Sequence, residues 1–227
     1  MKIKNWKESI FLSNMIIPFL YVILSSIAML FYAGGTYIDS NTQGYSFWSN
    51  FLSDLGRTRG YSGKSNTISC VLFTIMYTTL GFFLIPFFFF LPHFFNENEA
   101  ERRICIIASI FGIGTGISYI GVAFTPWDLY FLAHGAFGVI SSLTLLIALF
   151  LYSIVMIRNK TYPKKNTFTL IALDMLLVIS IILPLIGVSI ETAEGLMITV
   201  TIQKILTYFS LVFLFIHSYS AWKQEKL

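Results

Sequence analysis

Residues 130–157 read YFLAHGAFGVISSLTLLIALFLYSIVMI, a run without Lys, Arg, Asp or Glu. About 20 apolar residues are enough to cross a bilayer as a helix, so this run predicts a membrane span. In the whole chain of 227 residues, 56% are hydrophobic and 11% are charged, against roughly 25% charged in a soluble domain. A chain of this size cannot bury that apolar fraction in one core surrounded by water. The composition therefore predicts an integral membrane protein and excludes soluble, disordered, collagen-like, coiled-coil and disulfide-stapled classes.

Five further runs are long enough to cross a bilayer. Three prolines, Pro18, Pro86 and Pro184, fall inside spans and predict kinks that neighbouring helices can accommodate. No repeat and no linker divides the chain. We therefore expect one all-α domain over residues 1–227, an integral membrane bundle of six transmembrane helices. The spans are expected at about 10–33, 67–93, 104–125, 130–157, 168–190 and 197–221.

The distribution of Lys and Arg predicts the orientation, because cytoplasmic loops carry an excess of both. Eleven of them fall on one side of the six spans: Lys2, Lys4, Lys7, Arg102, Arg103, Arg158, Lys160, Lys164, Lys165, Lys223 and Lys226. The opposite side has only Arg57, Arg59 and Lys64. We therefore expect both termini in the cytoplasm and the protein in the cell membrane. The net charge of +4 reflects this bias, and no basic stripe with interleaved aromatics predicts a nucleic-acid partner.

The long connection between the first two spans, residues 34–66, is expected outside the cell. Within it, Phe47, Trp48, Phe51, Leu52 and Leu55 recur at helical spacing, and Gly56 provides a stop. This pattern predicts a short helix that lies in the outer membrane interface.

Two glycines of the third span, Gly112 and Gly116, have the G-x-x-x-G spacing that lets helices approach closely in lipid. A dinucleotide site would need a preceding strand, so helix packing is the favoured interpretation.

Polar residues converge on the outer leaflet. At about 1.5 Å per residue, Lys204 lies on the order of 10 Å, and His134 roughly 6 Å, below the outer ends of their spans. A carboxylate beside an imidazole favours general-base chemistry, and a buried ammonium can neutralise a phosphate or an oxyanion. Alternatively, Lys204 pairs with Asp54, Glu191 or Glu194 and clamps the first loop to the bundle. The predicted ligand-binding set is Ser53, Asp54, Arg57, Asp128, His134, Glu191, Glu194 and Lys204.

A smaller polar pair is expected near the inner face. Asp174 and His217 have depths that permit a contact, which would suit a proton relay, a cation site or a purely structural hydrogen bond. No metal-binding or nucleotide-binding motif is present, and His93 and His217 lie far from His134 along their spans. We expect neither a metal nor a cofactor.

An ordered set of short motifs resembles a known membrane family. It comprises Asn50–Gly56 before a span that begins near Asn66, then Gly121–Pro126 with Asp128 and His134, then Gly195 with Gln203 and Lys204. This set resembles the multi-pass family catalogued as domain of unknown function 998, which has Arg where this chain has Lys204. The loop motif and the six spans are also similar to the Frag1, DRAM and Sfk1 group. These resemblances imply the fold and the topology but no reaction.

Three hypotheses follow for function. The first is a protein that binds lipid headgroups, or a partner subunit or second copy of itself, through the outer polar pocket. The second is an intramembrane lipid hydrolase or transferase with Asp54, His134 and Lys204 as catalytic candidates. The third is a small proton-coupled or cation transporter that uses Asp174 and Lys204. The absence of known catalytic motifs favours binding.

Overall fold

A computed structural model describes residues 6–95, 98–159 and 163–225. These residues form six helices, each long and apolar enough to cross a membrane, which confirms the six predicted spans. Lys2, Lys4, Lys160 and Lys226, used above for the orientation, lie outside the described residues. The helices are α1 (Trp6–Leu30), α2 (Thr67–Phe90), α3 (Glu99–Phe124), α4 (Phe131–Arg158), α5 (Lys164–Leu185) and α6 (Ala193–Glu225); short 3-10 helices cover Leu52–Gly56 and Leu91–Phe94.

Two helix boundaries differ from the prediction by about five residues, and local hydrogen bonding or geometry explains each. The α3 helix begins at Glu99 because the Asn98 side chain accepts hydrogen bonds from the backbone N–H groups of Ala100 and Glu101. The α5 helix ends at Leu185, just before Gly187, whose φ of 88° lies in the left-handed region.

Each helix packs against the next, and α6 also packs against α1, so the six helices form a ring. The ring closes at one end through Trp222 Nε1, which donates a hydrogen bond of 3.1 Å to Glu8 Oε1. We call this end, with the start of α1 and the finish of α6, the terminal end. The opposite end, which carries the α1–α2 loop, the α3–α4 turn and the α5–α6 turn, is the loop end.

Glycines bring α2 and α3 into close contact. A Cβ atom on Gly81 would overlap the backbone oxygen of Gly116, and a Cβ on Gly116 would overlap that of Gly81. A Cβ on Gly112 would overlap the ring of Phe88. These contacts confirm that Gly112 and Gly116 serve helix packing.

The α1–α2 loop contains less helix than the hydrophobic spacing predicts. Only Leu52–Gly56 is helical, and it is a 3-10 helix. Leu52 and Leu55 are fully buried, while Phe47 and Trp48 are exposed. The segment before Phe51 is held in turns, because Asn50 Oδ1 accepts a hydrogen bond of 2.9 Å from the N–H of Ser46. Side-chain bonds of this kind compete with helix formation.

A buried asparagine fixes the loop to the helices. Asn66 Oδ1 accepts a hydrogen bond of 3.0 Å from the N–H of Ala33. Its Nδ2 donates to the carbonyl of Leu55 at 3.2 Å and to that of Arg57 at 2.9 Å. One side chain therefore joins the start of the loop, its 3-10 helix and its last segment.

The α5 helix packs closely only in its first half. Its buried residues, which include Leu170, Leu173 and Leu177, form one face toward the bundle. Two turns further, Pro184 occupies the same face and is exposed. The loop-end half of α5 therefore leaves space inside the ring.

Candidate functional site

A cavity of about 370 Å³ lies inside the ring at the loop end. Loop residues, the ends of α2, α3 and α4, and one face of α6 line it. Between Tyr77 and Tyr119 it adjoins a smaller space of about 40 Å³ whose deeper walls are apolar, among them Leu80, Leu84 and Phe88. Most of the wall is apolar in both spaces, and the carboxylate of Asp54 and the imidazole of His134 line the larger one.

Three of the predicted site residues line this cavity, namely Ser53, Asp54 and His134. The other five do not line it. Glu191 and Glu194 are exposed near the α5–α6 turn, and within the described residues their carboxylates form no hydrogen bond or ion pair. Arg57 lies over the ring of Tyr61, at 3.9 Å from its centroid. Asp128 and Lys204 hold the loop, as described below.

Asp54 is the carboxylate of the cavity, and it is 2% exposed. Its Oδ2 accepts hydrogen bonds from Asn50 Nδ2 at 3.1 Å and from the N–H of Phe51 at 2.9 Å, and the carboxylate also accepts one from the Tyr61 hydroxyl. Two oxygens can accept about four hydrogen bonds, so acceptor capacity remains. Burial raises the pKa of Asp54 from 3.8 to about 6, although these hydrogen bonds and the charge of Arg57 oppose the rise. Burial of an ionised carboxylate costs free energy, so a buried carboxylate with a perturbed pKa is a candidate functional residue.

Replacing Asp54 with asparagine should stabilise the protein at neutral pH. Because the pKa of Asp54 is higher in the folded state, its contribution to stability is full below about pH 4 and is lost as the pH rises to about 6. A pKa raised from 3.8 to about 6 corresponds to about 2 to 3 kcal/mol at pH 7. Thermal unfolding in detergent from pH 4 to 7 should show Asp54→Asn gaining on the wild type as the pH rises.

The contrasting variant is Asp128→Asn, since the pKa of Asp128 is shifted in the opposite direction. Burial raises that pKa, but hydrogen bonds from Thr58 and Arg59 outweigh burial and lower it below its ordinary value. The Asp128 carboxylate therefore stabilises the folded protein above the pKa that it has in the unfolded state. This stabilisation is lost as the pH falls through the lower pKa of the folded state. A difference between wild type and Asp54→Asn that stays constant from pH 4 to 7 would contradict the role assigned to Asp54.

His134, in the first turn of α4, presents an acceptor to the cavity. Its Nδ1 lies 2.6 Å from the carbonyl oxygen of Thr125. Because a carbonyl only accepts, Nδ1 carries the proton and Nε2 has the free electron pair. The Trp127 ring packs edge-on against the imidazole with centroids 5.6 Å apart. The imidazole is thus fixed in the tautomer that a general base or a hydrogen-bond acceptor requires.

Hydroxyl groups on α4 and α6, absent from the predicted set, add further acceptors to the cavity. Ser141 and Ser142 donate to the carbonyl of Gly138 at 2.8 and 3.1 Å. Thr207 donates to the carbonyl of Gln203, and Ser210 to that of Leu206, each at 2.8 Å. The i, i+4, i+7 spacing of Gln203, Thr207 and Ser210 is the sequence signal that identifies this polar face of α6.

Lys204 clamps the loop through a backbone carbonyl. Its Nζ donates a hydrogen bond of 2.5 Å to the carbonyl oxygen of Asn50 and lies 4.9 Å from the ring centroid of Phe47. The alternative of an ion pair with Asp54, Glu191 or Glu194 is not formed by Lys204 among the described residues, where the loop is clamped through the Asn50 carbonyl instead. Neighbouring Gln203 accepts a hydrogen bond of 2.8 Å from the N–H of Leu52.

Asp128 holds the same loop from the α3–α4 turn. Its carboxylate accepts hydrogen bonds from the backbone N–H of Thr58 at 2.9 Å, from the Thr58 hydroxyl at 2.6 Å and from the N–H of Arg59 at 3.0 Å. The loop that presents Asp54 is therefore fixed by α6 on one side and by the α3–α4 turn on the other.

The inner polar residues do not form the expected contact. No hydrogen bond joins Asp174 to His217 within the described ranges; His217 Nε2 lies 3.2 Å from the carbonyl oxygen of Asn166 and 3.3 Å from Thr169 Oγ1. Oδ1 of Asp174 is buried without a hydrogen-bond partner there. The transporter hypothesis, which also uses Lys204, stays a prediction. In the described part of the chain, no three His, Cys, Asp or Glu residues cluster as metal ligands would.

Comparisons with protein-family models, with curated proteins and with solved structures give no match for this chain.

Proposed function

We propose that this multi-pass membrane protein binds a membrane amphiphile in the loop-end cavity. Its polar head lies between Asp54 and His134, and its chain points toward Leu84 and Phe88. The observation that carries the proposal is a mostly apolar cavity that has Asp54, His134 and several hydroxyls on its wall and that adjoins a smaller apolar space toward Leu84 and Phe88, because a few polar groups in an apolar cavity match a lipid head and its chain. With the orientation expected from Lys and Arg, the head lies at the outer leaflet of the cell membrane.

Incomplete closure between α4 and α5 supports access from the bilayer. Apart from the backbone of α4 itself, no atom lies within 4 Å of where a Cβ on Gly135 or Gly138 would sit. Val139, which also lines the cavity, is 60% exposed. Since Pro184 on α5 is exposed as well, a ligand can pass sideways between these helices without crossing water.

The second candidate is an intramembrane lipid hydrolase or transferase. The tautomer of His134 favours it, because a free Nε2 in a cavity that Asp54 and Ser53 also line provides the groups for general-base catalysis. Lys204, the third catalytic candidate of the sequence, lies on the far side of the loop and would contribute only by positioning it. Binding is the simpler proposal, since it needs no reacting nucleophile.

A cavity-filling variant tests the proposal. Gly138→Leu should reduce the lipid that co-purifies with the protein at least about tenfold, because the new side chain occupies the space of the ligand. Stability should be maintained or improved, since leucine exceeds glycine in helix propensity by about 1 kcal/mol. The measurements are mass spectrometry of the extracted lipids and thermal unfolding of the same preparations.

The matched control is Ala136→Leu, which adds bulk to an exposed position of the same helix. It should retain the lipid. Equal lipid content in wild type, Gly138→Leu and Ala136→Leu would refute binding in the cavity. Incubation of each protein with a total lipid extract separates the two candidates, because an enzyme produces a new product that Gly138→Leu does not.

A further inference from the structure

We infer that the amphiphile bound in this cavity has a head that donates hydrogen bonds and carries no negative charge, which is a hydroxyl or an amine head. The inference rests on the proposed function and names the class of its ligand. It follows from the direction of the hydrogen bonds inside the cavity rather than from its shape.

The fixed polar atoms of the cavity are mostly acceptors. The Asp54 carboxylate keeps acceptor capacity beyond its bonds from Asn50, Phe51 and Tyr61. His134 presents Nε2 because its Nδ1 proton is already donated to Thr125. The hydroxyls of Ser141 and Thr207 use their only protons on carbonyls of their own helices. Each hydroxyl oxygen then keeps electron pairs but no free proton. A ligand that supplies protons satisfies these groups, and a ligand without them leaves buried acceptors unpaired.

The remaining donors are uncharged. They are the amide of Gln203, whose oxygen is taken by Leu52, the indole N–H of Trp127, and hydroxyls, of which that of Tyr61 is bonded to Asp54. The hydroxyls belong to Tyr37, Ser53, Tyr61, Tyr77 and Tyr119. Neither Lys nor Arg lines the cavity among the described residues.

The two nearest cations are already engaged outside the cavity. Lys204 is bonded to the carbonyl of Asn50, and Arg57 donates from Nε to the carbonyl of Arg59 while it covers the ring of Tyr61. A phosphate or carboxylate head would therefore meet the negative charge of Asp54 in a buried site, and although Arg57 and Lys204 act on Asp54 from outside the cavity, neither lines it to bond the head directly.

Four single-chain probes of equal chain length test this inference: a monoacylglycerol, an alkylamine, a fatty acid and an alkyl phosphate. Each is titrated against the delipidated full-length protein in detergent, and binding is measured by native mass spectrometry. We expect the monoacylglycerol or the alkylamine to bind at least about tenfold more tightly than either anionic probe. The preference should disappear in Gly138→Leu, which removes the site, and persist in Ala136→Leu.

Asp54→Asn tells the two permitted heads apart. If the ligand is an amine, this substitution weakens alkylamine binding at least about tenfold and changes monoacylglycerol binding much less, because only the amine interacts with the full charge. If it is an alcohol, monoacylglycerol remains the tightest probe in both proteins. Either result supports the inference.

Two results would overturn it, and they differ in meaning. Anionic probes that bind as tightly as the neutral and cationic ones, and that Gly138→Leu displaces, would refute the head class but retain the cavity as a lipid site. Binding of all four probes that is weak, or unchanged by Gly138→Leu, would refute the proposed function together with the inference.

Discussion

Gly116→Ala should destabilise the protein by about 2 to 3 kcal/mol, although alanine is the better helix former. The added Cβ would lie 2.8 Å from the backbone oxygen of Gly81 and 2.9 Å from a side-chain carbon of Ile85. Two helix backbones would have to separate, and in lipid, close packing is what holds helices together. Thermal unfolding of the detergent-solubilised variants, with size-exclusion chromatography, measures the effect.

The matched control for Gly116→Ala is Gly114→Ala, in the same helix. A Cβ on Gly114 would meet Thr144 at 3.5 Å, an ordinary van der Waals contact. Both variants gain the same helix propensity, so their difference isolates the close approach of α2 and α3. Equal stability of the two variants would show that this approach is not tight.

Asn66→Ala should release the α1–α2 loop and, with it, the ligand. The substitution leaves the N–H of Ala33 and the carbonyl of Arg57 without their partners inside the protein. Each buried unpaired group costs about 1 to 3 kcal/mol, so a total of about 3 kcal/mol is expected. Hydrogen exchange over residues 31–66 should increase, and the co-purifying lipid should be lost.

Ser65→Ala is the control for the loop variant. It removes an exposed hydrogen bond to Thr67, 2.9 Å long, and should change stability by less than about 0.5 kcal/mol. Asn66→Ala protein that keeps both its lipid and the slow exchange of the loop would show that Asn66 does not hold the site together.

The six spans could be predicted because long apolar runs have few alternatives to a transmembrane helix. The conformation of the α1–α2 loop could not, since it depends on contacts between residues distant in sequence. Asn66 joins Ala33 to Leu55 and Arg57, and Asn50 bonds to the carbonyl of Gly35. Hydrophobic spacing carries no information about such bonds, so it predicted a longer helix over this segment.

The depth of a residue in the membrane predicted which residues could lie near the site. Which of them line the cavity depends on the side of the helix from which each side chain projects. Gln203 and Lys204 are at nearly equal depth, but successive helical residues point about 100° apart. Gln203 therefore faces the cavity, while Lys204 faces the loop segment at Asn50. Asp174 and His217 likewise have compatible depths, but no hydrogen bond joins them within the described residues. To assign the direction of a side chain, one must know which helix or loop lies next to each face of its helix. The sequence alone does not provide this packing.

The clamp on the α1–α2 loop has a consequence for biosynthesis. Leu52 bonds to Gln203 and Asn50 to Lys204, across 151 and 154 residues of chain. At a synthesis rate of about 5 to 20 residues per second, the ribosome needs roughly 8 to 30 s to make α6 after the loop has emerged. During this interval the nascent loop lacks its final anchors. The α6 helix therefore completes a site that the α1–α2 loop began.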